Sequence, residues 1–270
     1  MQQPLFVFEN NRYLPTELAG GPWDPRALHG GAVAALMVER QARADVSGRI
    51  VRFTLELLKP VPKAPLQLTV QVARSGRQVQ RTSAELSADG QPVARSEALH
   101  IAAGAAPLPD VEKTRMRRAA DQMPGLPEAG TAPEDIGVGR RVTFARNAVE
   151  MRVVQSSFVE PGPGAVWFRL LCPVVDQEPP GPWARLVTAA DFCNGISAVV
   201  PWRGYVFANA DLTVAAALHP VGEWIGIHAV THTAVDGAAI AQSQLFDVDR
   251  PVGLAVQSVA VRARPPRAGA

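Results

Sequence analysis

The fold is decided by two stretches of sequence that share one local pattern. The first, residues 28–37, reads Leu28-His29-Gly30-Gly31-Ala32-Val33-Ala34-Ala35-Leu36-Met37. The second, residues 190–198, reads Ala190-Asp191-Phe192-Cys193-Asn194-Gly195-Ile196-Ser197-Ala198. Each stretch is predicted to open a helix, and each precedes a strand that ends near a proline, Pro60 or Pro220. An internal repeat of this kind fixes the architecture and makes the differences between the copies informative.

Alternation of apolar and polar residues with period two predicts the strands that follow each helix. The first copy shows this pattern over residues 51–57, 66–72, 79–86 and 93–101. The second copy shows it over residues 148–158, 165–172, 206–218, 224–233, 238–246 and 253–262. Subtracting about 160 from the second series aligns it with the first in element order. One helix wrapped by an antiparallel sheet, made twice, is an α+β fold with the helices on one face of the sheet.

The length of 270 residues is enough for two modules of this size. Residues 1–103 are predicted to form the first module and residues 140–270 the second. The segment between them, residues 104–139, is rich in Pro, Gly, Ala and charged residues. Such a composition buries little apolar surface, so the segment is predicted to be a surface linker.

Composition excludes several classes of partner and of location. The formal net charge is only +2, and no basic run is interleaved with aromatic residues, so nucleic acid is not an expected partner. No apolar run is long enough to span a membrane, and the first residues lack the features of a signal peptide. Cys172 and Cys193 have neither the number nor the spacing of a disulfide framework. A cytoplasmic protein is therefore expected.

The order of elements, with His29-Gly30-Gly31 at one helix start and Ala190-Asp191-Phe192 at the other, resembles the double hotdog acyl-CoA thioesterases of the TesB type. The resemblance extends over the whole chain except the predicted linker. It implies two hotdog modules that share one sheet, and hydrolysis of acyl-CoA thioesters to a free acid and CoA without a covalent serine. It also implies no cofactor and no metal.

The same resemblance implies a catalytic set of three residues that hold the attacking water. The family has an Asp at the start of the second helix, a Thr on the next strand and a Gln on the last strand. Asp191 and Gln257 match the first and the last. Asn209 stands where the family has Thr, which keeps a short hydrogen-bonding side chain but replaces a hydroxyl with an amide.

Thioester hydrolysis needs a proton acceptor, an oriented water and donors that face the developing oxyanion. Asp191 is the expected acceptor, and exposed N–H groups at a helix start would stabilise its carboxylate. The predicted substrate-binding residues are His29, Gly30 and Gly31, since glycines at a helix start leave room for a close approach. Asn209 is expected to share one strand face with Asp211 and Thr213.

Structural interpretations of the same residues remain open. Asp191 alone is typical of a helix cap, and Gln257 alone is typical of a surface strand. His29 is either a ligand contact or a partner for a nearby carbonyl. The spacing of His228 and His232 would suit a metal only on a helix, whereas the flanking residues indicate a strand. Ser197 lacks the second glycine of a nucleophile elbow.

Two other functions are kept as alternatives. One is a hotdog that binds acyl-CoA or acyl chains without turnover, since the family Thr is missing. The other is a hotdog enoyl-CoA hydratase, which would pair an Asp with a His; it ranks lower because His29 and Asp191 lie in different copies. A homodimer is expected by analogy with fused hotdogs. The aromatic residues predicted either to narrow an acyl tunnel or to belong to the core are Phe192, Trp202, Phe207, Trp183 and Trp224.

Overall fold

The first half of the chain consists of a hairpin, one long helix and four long strands. The computed structural model describes residues 3–102, 123–133, 141–155, 161–201, 204–233 and 236–264. The elements of the first half are β1 Phe6–Glu9, β2 Arg12–Pro15, α1 Gly30–Gln41, β3 Arg49–Leu57, β4 Leu66–Arg74, β5 Val79–Ala88 and β6 Gln91–Ile101. The four long strands confirm those predicted from the alternation of residues. The hairpin of β1 and β2 is an addition that the sequence pattern did not indicate.

The second half repeats this order with one strand interrupted. Its elements are β7 Val149–Gln155, β8 Gly164–Leu170, α2 Pro182–Ala190, α3 Cys193–Ile196, β9 Tyr205–Asn209, β10 Asp211–Ala216, β11 Trp224–Thr233, β12 Ala238–Phe246 and β13 Pro251–Ala263. The strands expected at 224–233, 238–246 and 253–262 are confirmed. The strand expected at 206–218 is divided at Ala210 into β9 and β10.

All of these strands belong to one antiparallel sheet. Its order is β1-β2-β4-β5-β6-β3-β10-β13-β12-β11-β8-β7, and β9 also pairs with β13. The two halves join where β3 pairs with β10, with Thr54 opposite Thr213. At one end of the order, the N–H groups of Leu5 and Phe6 donate to the carbonyls of Pro173 and Val174, which follow β8. The sheet therefore curls until its first strand meets the chain beyond β8.

The helices lie in the core that this curled sheet encloses. From Gly31 to Glu39 every residue of α1 is buried, as expected for a helix that is apolar on all sides. In β3 and β10 the inward residues Phe53, Leu55, Leu212 and Val214 are fully or almost fully buried. The arrangement is the predicted α+β double hotdog, in which each half supplies a helix and the sheet that wraps it. No described helix is both long and apolar enough to cross a membrane.

The predicted start of the second helix is wrong. α2 begins at Pro182 and ends at Ala190, so Asp191 follows the helix rather than opening it. Proline suits the first turn because its missing N–H would be unpaired there, and its fixed φ suits a helix. The helix also has a strong apolar stripe that includes Trp183, Leu186 and Val187. Both signals are present in the sequence, whereas the alignment of the two copies places Asp191 opposite the start of α1.

The predicted division into residues 1–103, 104–139 and 140–270 stays a prediction. Most of the expected linker lies outside the described residues. Its described part contains a short 3-10 helix, Pro127–Ala129, and Thr131 forms a bridge with Val153 of β7.

Candidate active site

Asp191 projects from the end of α2 towards the start of α1. Its backbone N–H donates to the carbonyl of Val187 at 3.1 Å, which closes the last turn of α2. Its side chain is only 2% exposed. The sequence analysis expected N–H groups at a helix start to stabilise this carboxylate. Because Asp191 lies at the end of α2, the carboxylate depends instead on partners from other elements.

The two glycines that open α1 make room for this carboxylate. A Cβ atom on Gly30 would lie 2.8 Å from Oδ1 of Asp191 and 3.0 Å from Oδ2. A Cβ atom on Gly31 would lie 3.0 Å from the ring of Phe144 and 3.3 Å from Cβ of Asp191. The close approach that glycine permits here is thus made by Asp191 and Phe144. Contact of Gly30 and Gly31 with a substrate stays a prediction.

Three side chains contact the buried carboxylate. Nδ2 of Asn209 donates to Oδ1 at 2.9 Å, and Nε2 of Gln257 lies 3.4 Å from the same oxygen. Nδ1 of His29 lies 3.0 Å from Oδ2. Such contacts offset the cost of burying a carboxylate and hold it in one orientation. The structure thus brings together Asp191, Asn209 and Gln257, the three residues assigned from the resemblance.

Gln257 is fully buried on the inward face of β13 and uses both ends of its amide. Nε2 also donates to the backbone carbonyl of Asp191 at 3.2 Å, while Oε1 accepts the N–H of Asn194 at 3.1 Å. The amide therefore ties β13 to the turn between α2 and α3. Its contacts fix the position of Asp191.

Asn209 reaches the site because the alternation of inward and outward side chains shifts by one residue at Ala210. Asn209 pairs with Val259 and Thr213 pairs with Val256, so a four-residue step on one strand matches a three-residue step on β13. This extra residue is a β-bulge, which re-aims the side chains on one side of it. Asn209 consequently faces the interior, whereas Asp211 points to the outer face and accepts hydrogen bonds from the backbone and hydroxyl of Ser258. The prediction that Asn209, Asp211 and Thr213 share one face is wrong.

His29 caps α1 and faces Asp191 with the same nitrogen. Nδ1 lies 3.1 Å from the backbone nitrogen of Gly31 and 3.0 Å from Oδ2 of Asp191. One ring nitrogen cannot accept a hydrogen bond and donate one at the same time. If Nδ1 carries a proton and donates it to Oδ2 of Asp191, the same nitrogen cannot accept the hydrogen bond from the N–H of Gly31 that caps α1. The ring lies between Phe144 and Phe192, with centroid distances of 4.8 and 4.9 Å.

The hydratase alternative ranks lower because His29 and Asp191 lie in different copies, yet in the structure the two side chains are in contact. The start of α1 packs against the end of α2, so residues from different copies meet at one point. The sequence carried no signal for this contact, because it depends on how the two helices pack.

A cavity of about 550 Å³ opens beside these residues. His29, Gly30, Asp191 and Asn209 line its polar end, whereas Gly31 and Gln257 lie behind this lining. The remaining wall is largely apolar and comes from both halves; it includes Trp23, Leu28, Val61, Met151, Phe192 and Phe207. A mostly apolar cavity with a few convergent polar groups is typical of a small-molecule site.

Of the aromatic residues expected to narrow a tunnel, Phe192 and Phe207 line this cavity. Trp183 instead donates a hydrogen bond to His219, and Arg169 stacks over Trp224. Trp202 lies outside the described residues. The sequence analysis missed Trp23, Met151 and the cations Lys59 and Arg262, which also line the cavity.

The nearby cysteines are poorly suited to nucleophilic chemistry. Burial raises the pKa of Cys193, which follows Phe192, to about 12, and burial raises the pKa of Cys172 to about 12 as well. A thiol with such a pKa holds almost no thiolate near neutrality. Among the residues that the structure describes, no cluster of three His, Cys, Asp or Glu has the arrangement of a metal site.

Comparisons with known proteins identify the family and the fold. A family model described as the acyl-CoA thioesterase N-terminal domain matches residues 19–101, and one described as the C-terminal domain matches residues 120–261. A search of curated proteins found no match.

Solved structures show the same fold at low sequence identity. A protein from Thermobifida fusca YX is 16% identical with a TM-score of 0.73, and 95% of each chain is covered. An acyl-CoA thioesterase II, TesB2, from Mycobacterium marinum is 16% identical with a TM-score of 0.64, covering 100% of this chain and 97% of that one. A hot dog fold protein from Alicyclobacillus acidocaldarius is 15% identical with a TM-score of 0.69, and 96% of each chain is covered.

Proposed function

The chain belongs to the acyl-CoA thioesterase family and is a thioester hydrolase, and on that premise we propose that Asp191, Asn209 and Gln257 direct water at the carbonyl of an acyl-CoA. The observation that carries the proposal is the Asp191 carboxylate, buried at the polar end of the cavity and held by three side chains. The products are a free acid and CoA.

Asp191 and Asn209 are the residues assigned to the water. Nδ2 of Asn209 donates to Asp191 at 2.9 Å and, more weakly, to the carbonyl of Asp211 at 3.3 Å. Its Oδ1 has no hydrogen-bond partner within the described chain, so it can accept one proton of a water while Asp191 accepts the other. A water fixed in this way presents a lone pair to the thioester carbon. Gln257 contributes by keeping Asp191 in place.

In the proposed step, the water oxygen forms a bond with the carbonyl carbon and a proton passes to Asp191. The carbonyl oxygen gains the negative charge, and the N–H of Gly30 is the expected donor to it. Gly30 lines the cavity and is the first residue of α1, where helix geometry leaves the N–H without a partner inside the helix. Collapse of the intermediate breaks the C–S bond, and the thiolate leaves with its electron pair.

One observation favours a second candidate, the enoyl-CoA hydratase. The contact between His29 and Asp191 supplies the pair of residues that such a hydratase requires. Hydration would add water across an enoyl double bond and leave the thioester intact. The family membership favours hydrolysis, so the hydratase stays the second candidate.

The test uses a panel of acyl-CoAs with a thiol reagent and with mass spectrometry of the acid. Release of CoA together with an equal amount of acid is expected for at least one member. Loss of enoyl absorbance from crotonyl-CoA without thiol release would favour the hydratase. Binding of acyl-CoA with neither reaction, across the whole panel, would favour the non-catalytic acyl-CoA binding protein.

Two wider expectations are also proposals. A cytoplasmic location is supported by Cys172 and Cys193, both buried free thiols, since a reducing compartment preserves such thiols.

A homodimer is proposed by analogy with other fused hotdogs. Sedimentation velocity tests it, and a concentration-independent monomer mass would contradict it.

A further inference from the structure

One polar side chain in the cavity wall has no part in the proposed reaction. Asn194 lies in α3 and lines the cavity, and the residue is only 8% exposed. Its backbone N–H donates to Oε1 of Gln257, but its side-chain amide makes no hydrogen bond with any residue that the structure describes. Neither atom of that amide is sealed in the core, so the amide opens into the cavity. Asn194 therefore offers both a donor and an acceptor to a ligand.

This free amide affects which acyl groups the cavity can accept. The polar side chains of the candidate site that line the cavity, His29, Asp191 and Asn209, contact one another. Asn194 has no such contact, and most of the wall around the cavity is apolar. A plain hydrocarbon chain would displace water from the amide of Asn194 without replacing its hydrogen bonds. Burial of an unpaired polar group lowers affinity, whereas a ligand group that pairs with it avoids this cost.

Asn194 lies close to the reacting bond of the proposed function, since one side chain holds it beside Asp191. Asn194 is the third residue after Asp191. Nε2 of Gln257 donates to the backbone carbonyl of Asp191 at 3.2 Å, and Oε1 of the same amide accepts the N–H of Asn194 at 3.1 Å. Both Asp191 and Asn194 line the cavity. A ligand group that pairs with Asn194 therefore lies within a few bonds of a carbonyl held at Asp191.

Asn194 is also on the side of the site away from the cavity opening. Lys59 and Arg262 line the cavity and are exposed, which marks the opening. Gln257, which binds Asn194, is fully buried and precedes Arg262 by five residues on β13. At the rise of a strand, five residues span roughly 16 Å. With a thioester carbonyl at Asp191, the large CoA part extends to the opening and the acyl group reaches Asn194.

We propose that Asn194 selects acyl groups that carry a hydroxyl close to the thioester, on carbon 3. A hydroxyl matches the amide because it accepts a hydrogen bond from Nδ2 and donates one to Oδ1. The proposal rests on the proposed function, and it deepens it by naming the substrate class. It predicts that 3-hydroxyacyl-CoAs are better substrates than unsubstituted acyl-CoAs of the same length.

The experiment compares kcat/KM for butyryl-CoA with kcat/KM for each enantiomer of 3-hydroxybutyryl-CoA. These substrates have the same chain length and differ in one hydroxyl. We expect the wild type to favour one enantiomer over butyryl-CoA about tenfold or more. Asn194→Leu keeps a side chain of similar size without hydrogen-bonding groups, and it should bring this ratio to about one. Asn194→Ala removes the amide without adding bulk and should have the same effect on the ratio.

Gln242→Leu is the matched control, since it makes the same change from amide to hydrocarbon elsewhere. Gln242 is exposed on β12 and does not line the cavity. It should leave kcat/KM for both substrates unchanged. A purely structural role of Asn194 would lower both values together and leave their ratio as in the wild type, and that result would overturn the proposal. Equal kcat/KM for butyryl-CoA and both enantiomers in the wild type would overturn it as well.

A calorimetric titration with two thioethers separates this proposal from the proposed function. S-Butyl-CoA and S-(3-hydroxybutyl)-CoA lack the thioester carbonyl, so neither can be hydrolysed. We expect the wild type and Gln242→Leu to bind one enantiomer of the hydroxylated thioether with a Kd about tenfold lower, and Asn194→Leu to bind both thioethers equally. Equal Kd values in the wild type, or binding of neither thioether, would contradict selection by Asn194. A preserved preference in binding, with no hydrolysis of either thioester, would count against the proposed function alone.

Discussion

Nδ1 of His29 lies 3.0 Å from Oδ2 of Asp191, which joins the start of α1 in the first half of the chain to the end of α2 in the second. Neither half contains the candidate site alone. Gly30 and His29 come from one half, whereas Asp191, Asn209 and Gln257 come from the other. The packing of the two helices therefore creates the site at the junction of the halves.

The contact between His29 and Asp191 is tested by His29→Asn. Asparagine is a favoured helix cap, so it keeps an acceptor for the N–H of Gly31 while losing the ring nitrogen that faces Asp191. We expect the free energy of unfolding to change by less than about 1 kcal/mol. We expect kcat to fall about 10- to 100-fold. An unchanged kcat would show that His29 is only a cap.

The packing of Asp191 on α1 is tested by Gly30→Ala. The new Cβ would lie within 3.0 Å of both carboxylate oxygens, so the carboxylate has to move. Alanine is the better helix former by up to about 1 kcal/mol, so stability should change little while kcat falls about tenfold or more. Gly181→Ala is the matched control, since a Cβ there meets nothing within 4 Å. Equal activity of the two variants would disprove the claim that this packing positions Asp191.

The role of Asn209 is tested by two substitutions with opposite expectations. Asn209→Thr restores the hydroxyl that the TesB-type family has at this position, and it should keep kcat within about tenfold of the wild type. Asn209→Ala removes both the donor to Asp191 and the acceptor for water, and should lower kcat about 100-fold. Circular dichroism and thermal unfolding check the fold of each. Similar kcat values for all three proteins would remove Asn209 from the mechanism.

We predict a pH-dependent loss of stability that arises from Glu39, which is buried near the end of α1. Burial raises its pKa above the ordinary 4.5, an effect that outweighs the opposing influence of Arg43 and Arg40. Its Oε2 atom has no hydrogen-bond partner in the described structure. The folded state then binds this proton more tightly than the unfolded state does. Stability should fall as pH rises from about 4.5 through the raised value, and stay lower above it.

Glu39→Gln should remove this loss. At pH 7 the variant should be more stable than the wild type by an amount on the order of 1 kcal/mol, and below about pH 4 the difference should shrink. Urea unfolding at several pH values measures it. The exposed Glu97→Gln serves as control and should change little. A variant that is less stable at neutral pH would show that the contact of Glu39 with Arg43 outweighs the burial cost.

Most strands could be predicted because one face is buried and the other is exposed, so apolar and polar residues alternate along the sequence. The interruption at Ala210 could not be predicted, because apolar and polar residues alternate without a break from Ala208 to Val214. The bulge exists only in the pairing of β9 and β10 with β13, and pairing is a property of two distant segments.

The candidate site was predicted through a resemblance rather than through a pattern. Asp191, Asn209 and Gln257 are far apart in sequence, and no spacing rule brings them together. The start of α2 could have been predicted, since Gly181-Pro182 and the apolar stripe that follows are ordinary helix signals. The approach of His29 to Asp191 could not have been predicted, because it depends on the packing of two helices from different halves.

The central claim is that the Asp191 carboxylate drives hydrolysis, and the kcat for thiol release by Asp191→Asn tests it most directly. Asparagine keeps the size of the side chain and loses the charge, so the fold should survive, as judged by an unchanged thermal unfolding profile. Asp211→Asn is the matched control, since Asp211 faces outward and bonds to Ser258. The account predicts that kcat falls about 100- to 10,000-fold in Asp191→Asn and less than about threefold in Asp211→Asn. A folded Asp191→Asn that releases CoA at the wild-type rate would contradict it.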